Sequence, residues 1–264
     1  MIGIVLVSHS AKLAEGVLEL AREMAGPEVV IAACGGLDLP GQPLGTDPAR
    51  VADAIQNMLS ESAPVLDGIL VLMDLGSALL SAAMALDLLP AELRAKVRLC
   101  PAPLVEGAVA AAVQARLGST LEQAAAEASR SLEPKTSQLD GQVKTEIPAQ
   151  DRMPETAPEE ENQLSIQLTV SNPLGLHARP AARLVQLAAG HPGVTLRITN
   201  LTRSTGPANA RSINALAILG VRQGHVLKAE ASGPGAREVL RDLEQLCREG
   251  FGDSENALPN QKTG

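Results

Sequence analysis

Apolar residues fall along this chain in two rhythms, and the order of those rhythms predicts two domains of different build. Over residues 1–132, unbroken apolar runs at Ile2–Val7, Val29–Ala33, Gly68–Met73 and Val97–Cys100 predict strands. Between them the spacing turns helical: Leu13, Val17, Leu20, Ala21 and Met24 share one helix face. A second helix opens at Asp47-Pro48, an acceptor cap followed by a proline suited to the first turn, and continues through Val51, Ile55 and Leu59. Ser77–Leu89, Leu104–Leu117 and Leu121–Ser131 complete the helices. Strands apolar on both faces, alternating with helices, predict an α/β domain with a doubly wound parallel sheet.

The pattern then stops. Glu133 to Glu161 holds eight acids against three bases, a net −5, with four prolines and no apolar period. Residues 133–163 therefore read as a disordered acidic linker. A flexible chain of that length spans roughly 30 Å, which would let the flanking domains meet at about millimolar effective concentration. Periodicity resumes over residues 164–249. Leu164–Val170 alternates as a strand, Ala178–Ala189 is helical, and Val194–Thr199 is a strand. Ser212–Leu219 follows as a short helix, Val226–Ala231 as a strand and Ala236–Arg248 as a final helix. The order is taken as βαββαβα, one strand more than the six spans just named, and suggests a smaller α+β sandwich: an antiparallel sheet with helices on one face. Residues 250–264 read as a flexible tail.

Composition removes several function classes. Net charge is −8, with one Phe and no Trp or Tyr. Nucleic-acid binding needs a basic face and stacking rings, so no nucleic-acid partner is expected. Three scattered cysteines, Cys34, Cys100 and Cys247, form no CxxC pair. That pattern argues against a disulfide framework or a zinc site and suits a reducing cytoplasm. No apolar run approaches the ~18 residues of a membrane span, and residues 1–8 lack the basic start of a signal peptide. GxxxxGK[ST], GxGxxG and HExxH patterns are absent. No metal and no resident cofactor are expected.

The chemistry rests on four histidines. His9 lies just past the first strand and before the first helix, where an open parallel sheet binds ligands. The helix N-terminus there favours a phosphoryl group. Asp74-Leu75-Gly76-Ser77 ends another strand, and an acid in that place would hold one imidazole nitrogen and leave the other nucleophilic. His177 precedes Ala178-Arg179-Pro180, with Pro180 suited to a first helical turn, so the ring falls at or beside the helix cap. Arg179 would neutralise a phosphoryl group carried there. By these physical signs alone each histidine is either a phosphoryl acceptor or an ordinary polar residue at a helix start. His191, before Pro192-Gly193, and His225, after Gly224, read as structural.

Two resemblances bear on that choice. Gly175-Leu176-His177-Ala178-Arg179-Pro180-Ala181 resembles the active-site signature of HPr, the histidine phosphocarrier of the phosphoenolpyruvate-dependent phosphotransferase system. Ala208-Asn209-Ala210-Arg211-Ser212-Ile213 resembles the segment around that family's regulatory serine, which points to Ser212. A serine there is equally an ordinary helix cap. The first domain resembles the mannose-family enzyme IIA fold, and within it the phosphocarrier subunits of dihydroxyacetone kinase. The stretches are Val7-Ser8-His9-Ser10, Leu13-Ala14-Glu15-Gly16-Val17, Gly45-Thr46-Asp47, Met73 through Ser81, and Ala102-Pro103-Leu104-Val105-Glu106-Gly107.

The resemblance implies a relay. Phosphate from phosphoenolpyruvate, delivered by enzyme I, would reach His177, then His9 directly or through free HPr. From there it would pass to ADP held on the nucleotide-binding subunit of dihydroxyacetone kinase. It also implies that Asp74 orients His9, that Gly76 and Ser77 lie near the phosphate, and that the first domain pairs as a homodimer. Some relatives carry a further enzyme-I-like domain; with the sequence ending at Gly264, enzyme I is expected to be a separate protein. Two other readings remain at this point: a sugar-transport enzyme IIA acting on a IIB partner, and a non-catalytic regulator whose phosphorylation governs binding.

Overall fold

The first strand, β1 (Ile2–Ser8), is buried at every residue, so its two rows of side chains must both find partners. The computed structural model, which describes residues 1–38, 43–61, 66–139 and 163–252, shows how. β1 is followed by α1 (Ala11–Ala25), β2 (Ile31–Gly35), α2 (Pro48–Glu61), β3 (Gly68–Met73), α3 (Gly76–Leu88), α4 (Ala91–Arg94), β4 (Val97–Cys100), α5 (Leu104–Arg116) and α6 (Leu121–Ser129). The four strands form a parallel sheet in the order β2-β1-β3-β4.

Each strand divides its residues between two cores. Ile2, Ile4, Leu6, Leu70 and Leu72 face α1, α5 and α6 through Val17, Ala21, Ala108, Ala111 and Ala124. Val5, Val7, Ile69, Val71 and Met73 face α2 and α3 through Val51, Ile55, Ala78, Ala82 and Ala85. Alanine along these helices brings their backbones close to the sheet, and one glycine completes the fit. A Cβ on Gly107 would lie 2.7 Å from the Ala102 Cβ and 2.9 Å from the Leu72 Cδ2.

The strand order matters for chemistry. β1 connects onward to β2 on one side, while β3 lies on its other side. The carboxyl ends of β1 and β3 thus flank the point where the winding reverses, the usual ligand crevice of such sheets.

The chain divides into two compact units, Met1–Lys135 and Thr136–Gly264. The second contains β5 (Leu164–Thr169), α8 (Ala178–Ala189), β6 (Thr195–Asn200), β7 (Thr205–Asn209), α9 (Ile213–Ile218), β8 (Val226–Ser232) and α10 (Ala236–Arg248). Its strands form an antiparallel sheet in the order β5-β8-β6-β7. Along β6 and β8 buried and half-buried residues alternate, as expected of a sheet with one face in the core. Leu196, Ile198, Leu227 and Ala229 from the sheet and Leu184, Val185, Leu240 and Leu243 from the helices are buried.

Two expectations need correction. Residues Glu133–Leu139, assigned from their charge to the linker, form a helix, α7; the remainder of the expected linker, 140–162, lies outside the described residues. The flexible tail expected from residue 250 begins on a folded turn, because Phe251 is fully buried. The single aromatic ring outweighs the polar residues beside it. Residues 253–264 lie outside the described set. Among the described residues, no helix is long and apolar enough to cross a membrane.

Candidate functional site

β1 ends at Ser8, and the next residue turns outward at the head of α1, whose cap is Ser10. β3 ends at Met73, and Asp74 follows. Because β1 and β3 are neighbours with Val7 level with Met73, Ser8 and His9 on one strand end are brought against Asp74 on the other. His9 Nδ1 lies 2.9 Å from Asp74 Oδ1. The same carboxylate accepts from the His9 backbone N–H at 2.8 Å, the Ser8 hydroxyl at 2.9 Å and the Leu75 backbone N–H at 2.7 Å. Burial by itself would raise the Asp74 carboxyl, but the hydrogen bonds from His9, Ser8 and Leu75 together hold it below its ordinary value.

An ionised Asp74 can only accept. In the neutral ring Nδ1 then donates to the carboxylate, which leaves the lone pair on Nε2. Nε2 faces Ser77 Oγ at 2.7 Å, and with this tautomer the serine hydroxyl donates to it. Ser77 sits in the first turn of α3, whose cap residue, Leu75, supplies no side-chain acceptor. The Ala78 N–H in that turn donates to the Leu75 carbonyl at 3.0 Å, and a helix start of this kind beside the ring favours an anion. A Cβ on Gly76 would meet nothing within 4 Å, so space for a ligand exists above that turn. His9 itself retains 24% side-chain exposure against 11% for Asp74. The acid is sheltered while the imidazole reaches solvent.

The surrounding loop is tied down. Gly45 donates its N–H to the His9 carbonyl at 2.8 Å, and Thr46 Oγ1 pairs with Ser81 Oγ at 2.7 Å. Beside Asp74 a cavity of about 450 Å³ opens at the ends of β3 and β4, lined mainly by apolar groups including Leu75, Leu79, Leu99, Pro101 and Pro103. The outer face of α3 continues this surface with exposed Leu80, Met84 and Leu88.

In the second unit His177 is the cap residue of α8, in extended conformation, and its side chain makes no capping bond. Arg179 lies in the first turn, half-buried. A recess of about 170 Å³ is lined by His177 together with Leu174, Leu176, Arg203, Gly220, Val221 and Arg222. Arg179, the cation expected beside His177 from the sequence, is absent from that lining. Arg203 and Arg222 were not singled out by sequence; they reach the site from loops distant in the chain, and no local pattern marks them. Ser212 is buried and caps α9, its hydroxyl accepting from the Ala215 N–H at 3.0 Å. His191 pairs with Asp242 at 2.9 Å. His225 Nδ1 accepts from the Asn200 side-chain amide at 3.1 Å and from the Arg222 N–H at 3.3 Å. Among the described residues, no group of three or more His, Cys, Asp or Glu side chains is arranged to hold a metal ion.

Two folds of this kind, each presenting an accessible imidazole at the head of a helix, define a two-domain chain of phosphotransferase-system type. Comparison with known proteins agrees. Residues 3–125 match the family described as PTS system fructose IIA component, of mannose type, and residues 164–249 match the PTS HPr component phosphorylation site family. The chain is 41% identical over 98% of its length to the phosphoryl donor subunit DhaM of phosphoenolpyruvate-dependent dihydroxyacetone kinase from Escherichia coli strain K12, of which it covers 52%. Over 46% of its length it is 44% identical to the corresponding subunit of dihydroxyacetone kinase 2 from Listeria innocua, of which it covers 92%. Among solved structures, HPr from Thermoanaerobacter tengcongensis shares 33% identity over 34% of this chain and 97% of its own, with a TM-score of 0.32. The chain belongs to the DhaM family. It spans about half the length of the Escherichia coli relative.

Proposed function

We propose that this chain is a phosphohistidine relay: phosphate originating in phosphoenolpyruvate passes through His177 and His9 to ADP on the nucleotide-binding subunit of dihydroxyacetone kinase. The observation that carries the reading is the 2.9 Å contact between His9 Nδ1 and the Asp74 carboxylate. With Asp74 on Nδ1, the Nε2 lone pair faces the Ser77 hydroxyl at the head of α3. In the incoming step Nε2 attacks phosphorus, an N–P bond forms, and the bond to the donor's nitrogen breaks with its electron pair returning to the donor ring. Asp74 stabilises the positive charge that develops on the imidazole, and the α3 N–H groups and Ser77 receive the phosphoryl oxygens. In the outgoing step a terminal phosphate oxygen of ADP attacks, and the pair from the N–P bond returns to His9. Imidazole suits both directions because it is nucleophilic near neutral pH and remains a good leaving group when protonated at the other nitrogen.

Enzyme I and HPr of the phosphotransferase system are the proposed donors, and His177 the entry point on this chain. The exposed apolar face of α3 beside the site supports a macromolecular contact there, either with the kinase subunit or between two copies as a homodimer. The setting is cytoplasmic. As an enzyme the chain acts as the phosphotransferase component of a phosphoenolpyruvate–dihydroxyacetone system. The test is incubation with labelled phosphoenolpyruvate, enzyme I and HPr, followed by ADP-loaded kinase subunit. His9→Ala is expected to leave His177 labelled and to abolish labelled ATP. Undiminished dihydroxyacetone phosphorylation by a system reconstituted with His9→Ala would overturn the relay.

A further inference from the structure

The second unit carries two guanidiniums that the relay as described does not use. Arg203 follows β6, and Arg222 lies between α9 and β8; both side chains are exposed, yet both line the recess that contains His177. Among the described residues neither guanidinium is ion-paired. No acidic side chain lines the recess with them. Two unpaired like charges converging on one small hollow repel each other, and an anion is the natural occupant that reverses this.

Their positions are held, not incidental. The turn before His177 rests directly on Arg222. Leu176 donates its N–H to the Val221 carbonyl at 3.2 Å. A Cβ on Gly175, where φ is +66°, would lie 2.7 Å from the Arg222 Cα and would collide with the Val221 carbonyl. Only glycine permits this approach. Arg203 crosses the opposite wall: its Nη1 lies 2.9 Å from where a Cβ on Gly220 would stand, and φ there is +56°. Behind both loops sits one polar pair. Asn200 is fully buried. Its carbonyl accepts the Arg203 N–H at 3.3 Å, while its amide meets His225 Nδ1, which also accepts the Arg222 N–H. The burial of His225 and the charges of Arg203 and Arg222 all keep that imidazole below its ordinary range, consistent with both guanidiniums lying near it.

We infer that Arg203 and Arg222 form a cation clamp for the phosphoryl dianion carried on His177, with the Asn200–His225 pair as the positioning element behind it. This rests on the relay reading, because it assumes that His177 is phosphorylated. When a ring nitrogen of His177 attacks the donor phosphorus, an N–P bond forms and the donor bond breaks with its electron pair. The two guanidiniums then bind the equatorial oxygens, where negative charge accumulates, and remain on the product dianion.

The experiment uses the full chain in a His9→Ala background, so that one acceptor remains, with phosphoramidate as a small donor that needs no protein partner. Its P–N bond breaks as the new one forms, and ammonia leaves. Labelling of His177 and the second ionisation of the bound phosphoryl group are followed by phosphorus NMR. Expected for Arg203→Gln/Arg222→Gln is labelling slowed about tenfold or more, with the phosphoryl ionisation moved to higher pH. Arg203→Lys and Arg222→Lys should restore much of both. Unchanged labelling and an unchanged phosphoryl titration in the double glutamine variant would overturn the clamp. Absence of label on His177 in the parent chain would instead overturn the relay reading. Thermal melts accompany every variant, and if the double variant melts early, the two single glutamine variants decide by the same criteria.

Discussion

Asp74 does three things with one carboxylate. It fixes the His9 ring, accepts the His9 main-chain N–H, and takes the Ser8 hydroxyl. Replacing it with asparagine keeps the shape and removes the charge, so nothing enforces Nδ1–H any longer. Asp74→Asn is therefore expected to slow phosphorylation of His9 by ~10²-fold or more, the usual scale for a lost acid–base partner. A quench-flow measurement with unchanged rates would remove Asp74 from its orienting role. At this scale the sequence was partly legible. His9 and Asp74 each stood at a strand end, but that they meet depends on β1 and β3 being neighbours, which no local pattern states. Ser8 falls just beyond the apolar run Ile2–Val7; its hydroxyl gains meaning when the carboxylate arrives from a segment 66 residues away. Arg203 and Arg222 were illegible for a related reason. They lie in irregular loops, and folding alone places them beside His177.

Among elements, the longest signals were the most faithful. β3, α8 and α10 occupy the spans that periodicity marks, because each presents an apolar row to a core. β2 sits two residues later than its apolar run: Val29 is buried, but the pairing to β1 starts with Ile4 opposite Ile31 and continues to Gly35 opposite Ser8. β7, with the sequence TGPAN, carries no apolar alternation. It is an edge strand beside β6, a place that tolerates glycine and proline. The segment at 250–252 misleads in the other direction. Polar neighbours hide a ring that the fold buries completely. Phe251→Ala should cost the second unit about 3–5 kcal/mol, the range for emptying a buried aromatic site. Urea unfolding followed by amide NMR would check it: early loss of signals from β5–α10, with β1–β4 unmoved, is the expected result. Equal unfolding midpoints in both proteins would mean the ring is dispensable.

For the molecule as a whole, acidity and function pull in different places. The chain carries net charge −8, yet in its second unit two cations line the recess of one histidine with no ion pair among the described residues. That arrangement has a pH signature. His225 is held neutral by burial and by Arg203 and Arg222, below the 6.5 of an ordinary histidine. As pH falls through about 6.5 the unfolded chain takes up this proton before the folded chain does, so folding loses stability on the acid side and is unaffected above neutrality. His225→Gln cannot titrate. Its melting temperature should fall less than that of the unaltered chain between pH 7 and pH 5.5, and parallel decreases by calorimetry would show that His225 contributes nothing to the acid response.

The ring at Phe251, the only Phe in a chain without Trp or Tyr, has a practical consequence. To a fluorimeter this protein is nearly dark. Any emission that changes during docking must come from the other molecule, which makes an indole in a donor or acceptor a background-free reporter of each encounter. For methyl spectroscopy the same scarcity is an advantage, since apart from four imidazoles every ring-current displacement points to one address.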